Sequence, residues 1–195
     1  MRSIEAVTHK RLNMSVPVLL LQLLCCISCE WEVPTSVTVR AGQTFEFAGT
    51  GRLQTFTVYA PKAGRRIASA SPEMARVVWQ IVRSKGDAGG GRVEGMRVTY
   101  GKVPDGYART VPGGSEHPEP LPLGVVCSFF AETINAPGAG GAIFVSSTGP
   151  VQIDVRDQCL RRIDGREVQV NCQTGAPYQE PTDIEKYVEE HRIVR

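Results

Sequence analysis

Val77-Val78-Trp79-Gln80-Ile81-Val82 reads as a β-strand, with β-branched residues around a central Trp79. The run is apolar on both faces. A strand buried on both faces belongs inside a sheet, so the rest of the chain must supply neighbours on either side. Upstream, Thr44-Phe45-Glu46-Phe47 places an apolar residue at every second position, the period of a half-buried strand. Val37-Thr38-Val39 precedes it across a turn at Ala41-Gly42-Gln43. Leu53 to Tyr59, rich in Thr, Phe, Val and Tyr, follows the break at Gly49-Thr50-Gly51. Ser71-Pro72-Glu73 can open a helical turn before the Val77 run.

Downstream, Arg92 to Tyr100 offers Val93, Met96, Val98 and Tyr100 as core positions. Leu123 to Ala131 is a strand with Val125, Cys127 and Phe129 on one face and Val126, Ser128 and Phe130 on the other. Ala142 to Val145 and the strictly alternating Val151-Gln152-Ile153-Asp154-Val155 add two more. Between these strands, Pro104-Asp105-Gly106 is a turn, because Pro restricts φ and Gly admits positive φ; Tyr100 and Tyr107 flank it and are expected to pack over it. Val111 to Pro122 carries too many prolines for a central strand. It is either a crossover between two sheets or a mobile surface loop. The predicted fold is mainly β: a β-sandwich-like domain of nine to eleven short antiparallel strands, with a short C-terminal helix.

Two local features complete that domain. Cys159 to Cys172 forms a candidate hairpin, within an appended unit at 150–178. A two-residue Asp164-Gly165 turn sets Cys159 opposite Val170; a turn centred between Gly165 and Arg166 sets Cys159 opposite Cys172. The second register is preferred, since it brings the thiols within disulfide reach. At the end of the chain, Thr182-Asp183-Ile184-Glu185 matches a capping box, with Thr182 as the cap and Glu185 reaching back. Ile184, Tyr187, Val188 and His191 then share one face of a helix over 182–192.

The N-terminal segment decides the compartment. Lys10 and Arg11 precede an apolar run from Val16 to Ile27 that ends in Ser28 and Cys29. That run is about twelve residues, too short to cross roughly 30 Å of hydrocarbon as a helix. A basic segment, a short apolar core and small residues at the end make a secretory signal peptide over 1–28. Cys26-Ile27-Ser28-Cys29 resembles the lipobox of bacterial lipoproteins, in which the final Cys becomes the lipid-modified first residue of the mature chain. Cys26 stands where that family commonly has Leu. The resemblance implies lipid attachment at Cys29, a tether over 29–36, a domain over 37–195 and a membrane-anchored protein of the cell envelope. The competing reading is ordinary cleavage at the same bond, leaving Cys29 as a thiol.

Composition narrows the function. The chain has 195 residues with 22 Lys and Arg against 20 Asp and Glu; removing residues 1–28 takes three bases and one acid and leaves 19 of each. A balanced charge gives no electrostatic basis for binding nucleic acid. Four cysteines then remain, Cys29, Cys127, Cys159 and Cys172, and export permits a Cys159–Cys172 disulfide. His117 lies between Glu116 and Glu119 in the proline-rich loop with no second ligand at metal spacing. Cys127 lies mid-strand among apolar residues, where a thiol is inert. Ser115, Ser128 and Ser146 lack a nucleophile elbow. Gly89-Gly90-Gly91 and the Gly138 to Gly141 stretch lack the strand–loop–helix setting of a phosphate loop. Asp154, Asp157 and Asp164 are too sparse for a calcium loop, and Arg161, Arg162 and Arg166 read as a solvated face. No catalytic residue, metal or cofactor is assigned. The expected protein is a non-enzymatic, lipid-anchored envelope protein presenting its β-domain to a protein or a glycan. The alternative is a secreted soluble hydrolase with a site around His117 or Cys127.

Overall fold

A computed structural model describes residues 33–68, 75–84, 91–113, 117–155 and 158–193. Cys29 and the signal segment lie outside the described residues, as do Ser71-Pro72-Glu73, the Gly89 to Gly90 stretch, Ser115, Glu116 and Asp157. Eleven strands occur in the order β1 (Ser36–Arg40), β2 (Thr44–Ala48), β3 (Arg52–Pro61), β4 (Ala75–Arg83), β5 (Arg97–Thr99), β6 (Tyr107–Val111), β7 (Val125–Ile134), β8 (Ala139–Ser146), β9 (Gly149–Ile153), β10 (Gln158–Ile163) and β11 (Arg166–Asn171), followed by helix α1 (Ile184–His191). They form a six-stranded sheet in the order β6-β4-β3-β7-β8-β9, a three-stranded sheet β1-β2-β5 and the hairpin β10-β11. Every pairing between named strands is antiparallel.

The alternating residues of the small sheet face the large one. Phe45 and Phe47 of β2 are buried against Phe56, Trp79 and Phe129 of the large sheet. Phe45 meets Phe56 edge-to-face at 4.7 Å and Phe129 at 5.1 Å, an arrangement worth about 0.5–1.5 kcal/mol per pair beyond burial. Gln152 of β9 ties the two sheets together. Its Oε1 accepts from the Val39 amide at 3.0 Å and its Nε2 donates to the Val37 carbonyl at 3.1 Å. A side-chain amide thus occupies the outer edge of β1 as a neighbouring strand would.

The opposite face of the six-stranded sheet has its own cover. Val126, Ala142, Phe144 and Ile153 pack with Ile184, Tyr187 and Val188 of α1. The helix cap differs by one residue from the expected box: the Asp183 carboxylate, not Thr182, accepts from the Lys186 amide at 3.0 Å. Asp and Thr are both good caps, and the carboxylate standing one residue later sets the start at Ile184.

β4 lies between β3 and β6, as its composition requires, and Trp79 and Ile81 are fully buried. Its second face is polar rather than apolar at Gln80, which donates to Thr57 Oγ1 at 3.0 Å and accepts from Thr110 Oγ1 at 2.6 Å. The two tyrosines around the Pro104-Asp105-Gly106 turn do not pack over it. Tyr100 donates to the Glu119 carbonyl at 2.8 Å and Tyr107 to the Leu53 carbonyl at 2.9 Å. Glu119 also pairs with Arg76 at 3.1 Å, and Leu121 is buried in the core between the sheets. The proline-rich loop therefore joins β6 to β7 within one sheet and is fastened at its second half.

Val33 to Ser36, within the segment expected as a tether, are bonded to the β-domain. Thr50 donates its amide to the Val33 carbonyl at 3.2 Å, Thr35 donates its own to Pro137 at 3.2 Å, and Thr35 is buried. Val33 to Ser36 thus belong to the folded body.

Candidate functional site

The site grows out of the cross-strand pairing of β7 with β8. Phe129 faces Gly141 and Phe130 faces Gly140, on opposite sides of the sheet. A Cβ on Gly141 would stand 2.5 Å from the Phe129 ring, and one on Gly140 would stand 3.3 Å from Phe130. Glycine at both positions lets an aromatic ring lie against bare backbone. On the core side this packs Phe129. On the other side it lowers the sheet surface beside Phe130, which remains 49% exposed.

The hairpin closes this depression from above. Asp164 and Gly165 both have positive φ, 51° and 79°, so β10 and β11 meet through a two-residue turn that favours Gly at its second position. The resulting register sets Cys159 opposite Val170, not opposite Cys172. The disulfide forms nonetheless, with the Cα atoms of Cys159 and Cys172 5.1 Å apart. A diagonal pair one step beyond the ladder is within bridging range, so the turn sets the register and the disulfide accommodates it. The two-stranded unit begins at Gln158; the expected start at 150 instead belongs to β9 of the large sheet.

Gln158 anchors the base of the hairpin. Its Nε2 donates to the hydroxyls of Tyr178 and Tyr187 at 3.0 Å each, and its Oε1 accepts from Gln169 Nε2 at 2.5 Å. Tyr187 lies on α1, so one amide joins hairpin, C-terminal segment and helix. Between this base and the sheet lies a cavity of about 170 Å³, lined by Tyr59, Ser128, Phe130, Val155, Cys159 and Gln169 among others. Among the described residues no charged side chain lines it. Its lining is mostly apolar, yet Ser128 Oγ is buried there with no hydrogen-bond partner. The amide of Gln169 is held at its nitrogen by Gln158, which leaves the oxygen as an acceptor.

The other candidate residues are dispersed. Cys127 is fully buried between the six-stranded and three-stranded sheets, and burial pushes its thiol up to about 12. A thiol so placed is neither ionised nor accessible at neutral pH. His117 is exposed in the proline-rich loop. His191 stacks on Tyr187 at 4.0 Å, and its Nδ1 lies 2.8 Å from the Tyr187 carbonyl. Among the described residues no three His, Cys, Asp or Glu side chains converge as a metal site. Arg161, Arg162 and Arg166 are exposed on the hairpin. On the outside of the small sheet, hydrogen bonds from Arg40 at 2.8 Å and Arg97 at 2.6 Å hold the Glu46 carboxyl below the usual carboxylate range. These are solvated surface pairs and carry little energy.

Sequence reasoning placed Ser128 and Phe130 together on one strand face and identified the disulfide. It did not find Gln158, Gln169, Tyr59 or Gly140 as neighbours. The paired Gly140-Gly141 beside an aromatic dipeptide was the available signal, but it acts only once the β7–β8 register is known. No protein-family model, curated protein or solved structure matches the chain.

Proposed function

We propose that the chain is a non-enzymatic, lipid-anchored protein of the cell envelope that presents its β-domain for binding a protein or a glycan. The observation that carries the binding reading is the uncharged cavity beneath the disulfide hairpin, with its unpartnered buried hydroxyl and exposed aromatic rim. Concave, mostly apolar sites with a few placed polar groups are typical of ligand recognition. Among the described residues the lining contains no carboxylate, imidazole, amine or thiol to act as base, acid or nucleophile. The disulfide supports the exported compartment, since such bonds persist where conditions are oxidising. Anchoring rests on the Cys26-Ile27-Ser28-Cys29 signal. Among the described residues no helix is long and apolar enough to cross a membrane.

The hydrolase alternative draws no support from its two named residues, because Cys127 is buried and protonated and His117 stands exposed in a loop. Detergent phase separation of cells expressing the full chain tests the proposal. The wild type is expected in the detergent phase and Cys29→Ser in the aqueous phase. Equal partitioning of the two would overturn the anchor.

A further inference from the structure

We infer that the cavity under the hairpin binds one uncharged six-membered ring bearing a single hydroxyl, that is, a phenol, either free or as the tyrosine side chain of a partner. The inference rests on the binding reading above and names the ligand class of the same site.

Size sets the first limit. An apolar cavity of about 150 Å³ accepts benzene, so about 170 Å³ holds one ring with a small substituent and excludes a lipid chain or a fused ring system. Charge sets the second. Among the described residues the lining holds no carboxylate, ammonium, guanidinium or imidazole, so a carboxylate or ammonium entering here would lose hydration without a counter-charge. The third limit comes from the polar atoms. Ser128 Oγ is buried and unpartnered, so a plain hydrocarbon ring leaves it unsatisfied. A neutral sugar carries several hydroxyls, while the described lining side chains offer the Ser128 and Tyr59 hydroxyls and the Gln169 oxygen; the remaining sugar hydroxyls would be buried unpaired and costly. A phenol matches this inventory: its ring lies among Tyr59, Phe130 and Val155, and its one hydroxyl bonds with the unpartnered Ser128 Oγ. The Gln158 amide takes no part, because both its ends are engaged within the protein. It keeps Gln169 in place.

The test is titration of the full chain with p-cresol, toluene and methyl glucopyranoside, followed by amide NMR shifts at Ser128, Gly140 and Gln169. The inference expects p-cresol to bind with a Kd of about 1 mM, as suits a ligand of this size. Toluene should bind several-fold to tenfold more weakly, the worth of one hydrogen bond, and Ser128→Ala should erase that difference while leaving the rest of the spectrum unchanged. An acetylated tyrosine peptide distinguishes the sources: binding at least as tight as p-cresol assigns the ligand to a partner protein, and its exclusion assigns a free phenol. Toluene binding as well as p-cresol, the absence of any shift at these amides, or no effect of Ser128→Ala overturns the inference. A pyranoside that shifts these amides more strongly than p-cresol overturns the phenol but leaves the binding module standing. Equal partitioning of the wild type and Cys29→Ser in the detergent experiment bears only on the broader proposal.

Discussion

Replacing both Cys159 and Cys172 with Ser should loosen the hairpin and leave the sandwich intact. The bridge spans a sequence separation of 13. In the chain-entropy model a loop of that length contributes about 3 kcal/mol. Among the described residues β10 and β11 share no ladder with either larger sheet; their ties include the Val170–Pro177 bridge, the Tyr178 amide's hydrogen bond to the Gln169 carbonyl and the Gln158 hydrogen bonds. The lost constraint should therefore be felt locally. About 3 kcal/mol corresponds to a roughly 150-fold larger opening equilibrium, read directly by native-state amide exchange. The amides of Arg161, Val168 and Val170 should exchange about two orders of magnitude faster. Those of Val58 and Phe129, in the interior of the six-stranded sheet, should stay within about threefold of the wild type. Equal acceleration of both groups would show that the disulfide constrains the whole domain. A change below about tenfold at the hairpin would show that Gln158 and the turn suffice without it. Either result refutes the reasoning.

Two further outcomes are expected. Gln152→Leu removes both hydrogen bonds that join β9 to β1 and strands two backbone groups, at a cost of about 2–3 kcal/mol; thermal unfolding should fall by about 5–10 °C, and a drop of less than about 2 °C would mean that the sheets are held together otherwise. Cys127 predicts an alkaline loss of stability. An unfolded thiol ionises near pH 9, whereas burial keeps the native thiol protonated up to about 12. The contribution is thus complete below about pH 9 and falls as pH rises toward the native value, by roughly 2–3 kcal/mol at pH 11. Tyr100, pushed up to about 12 chiefly by burial, adds a trend of the same sign. Urea unfolding of Cys127→Ala across pH 8–11 should show a shallower decline than the wild type; identical slopes would contradict the assignment.

Much of the sandwich is readable from local pattern. The alternation at Thr44 to Phe47 assigns Phe45 and Phe47 to one buried face, and both are buried. The two faces of Val125 to Phe130 separate into the inter-sheet core, with Cys127 and Phe129, and the helix side, with Val126. Ile184, Tyr187 and Val188 form the docked face of α1, as their spacing requires. Where local signals compete, the reading fails by a residue or a register. Asp164-Gly165 sets the register ahead of a direct alignment of the thiols, because a diagonal pair still lies within bridging distance. Long-range contacts have no local signature at all. Gln152 meets Val39 of β1 across a separation of 113 residues, and Tyr100 finds Glu119 rather than its own turn. The cavity shares this origin: its walls come from β3, β7, β8 and the hairpin, and no short stretch contains them together.

The most direct test of the account is the intact mass of the mature protein, measured with alkylation before and after denaturation under non-reducing conditions. The account predicts a chain beginning at Cys29 with a diacyl or triacyl adduct, one disulfide between Cys159 and Cys172, and a Cys127 thiol that alkylates only after unfolding. A chain that retains residues 1–28, or one that begins at an unmodified Cys29, would contradict the anchored-envelope reading.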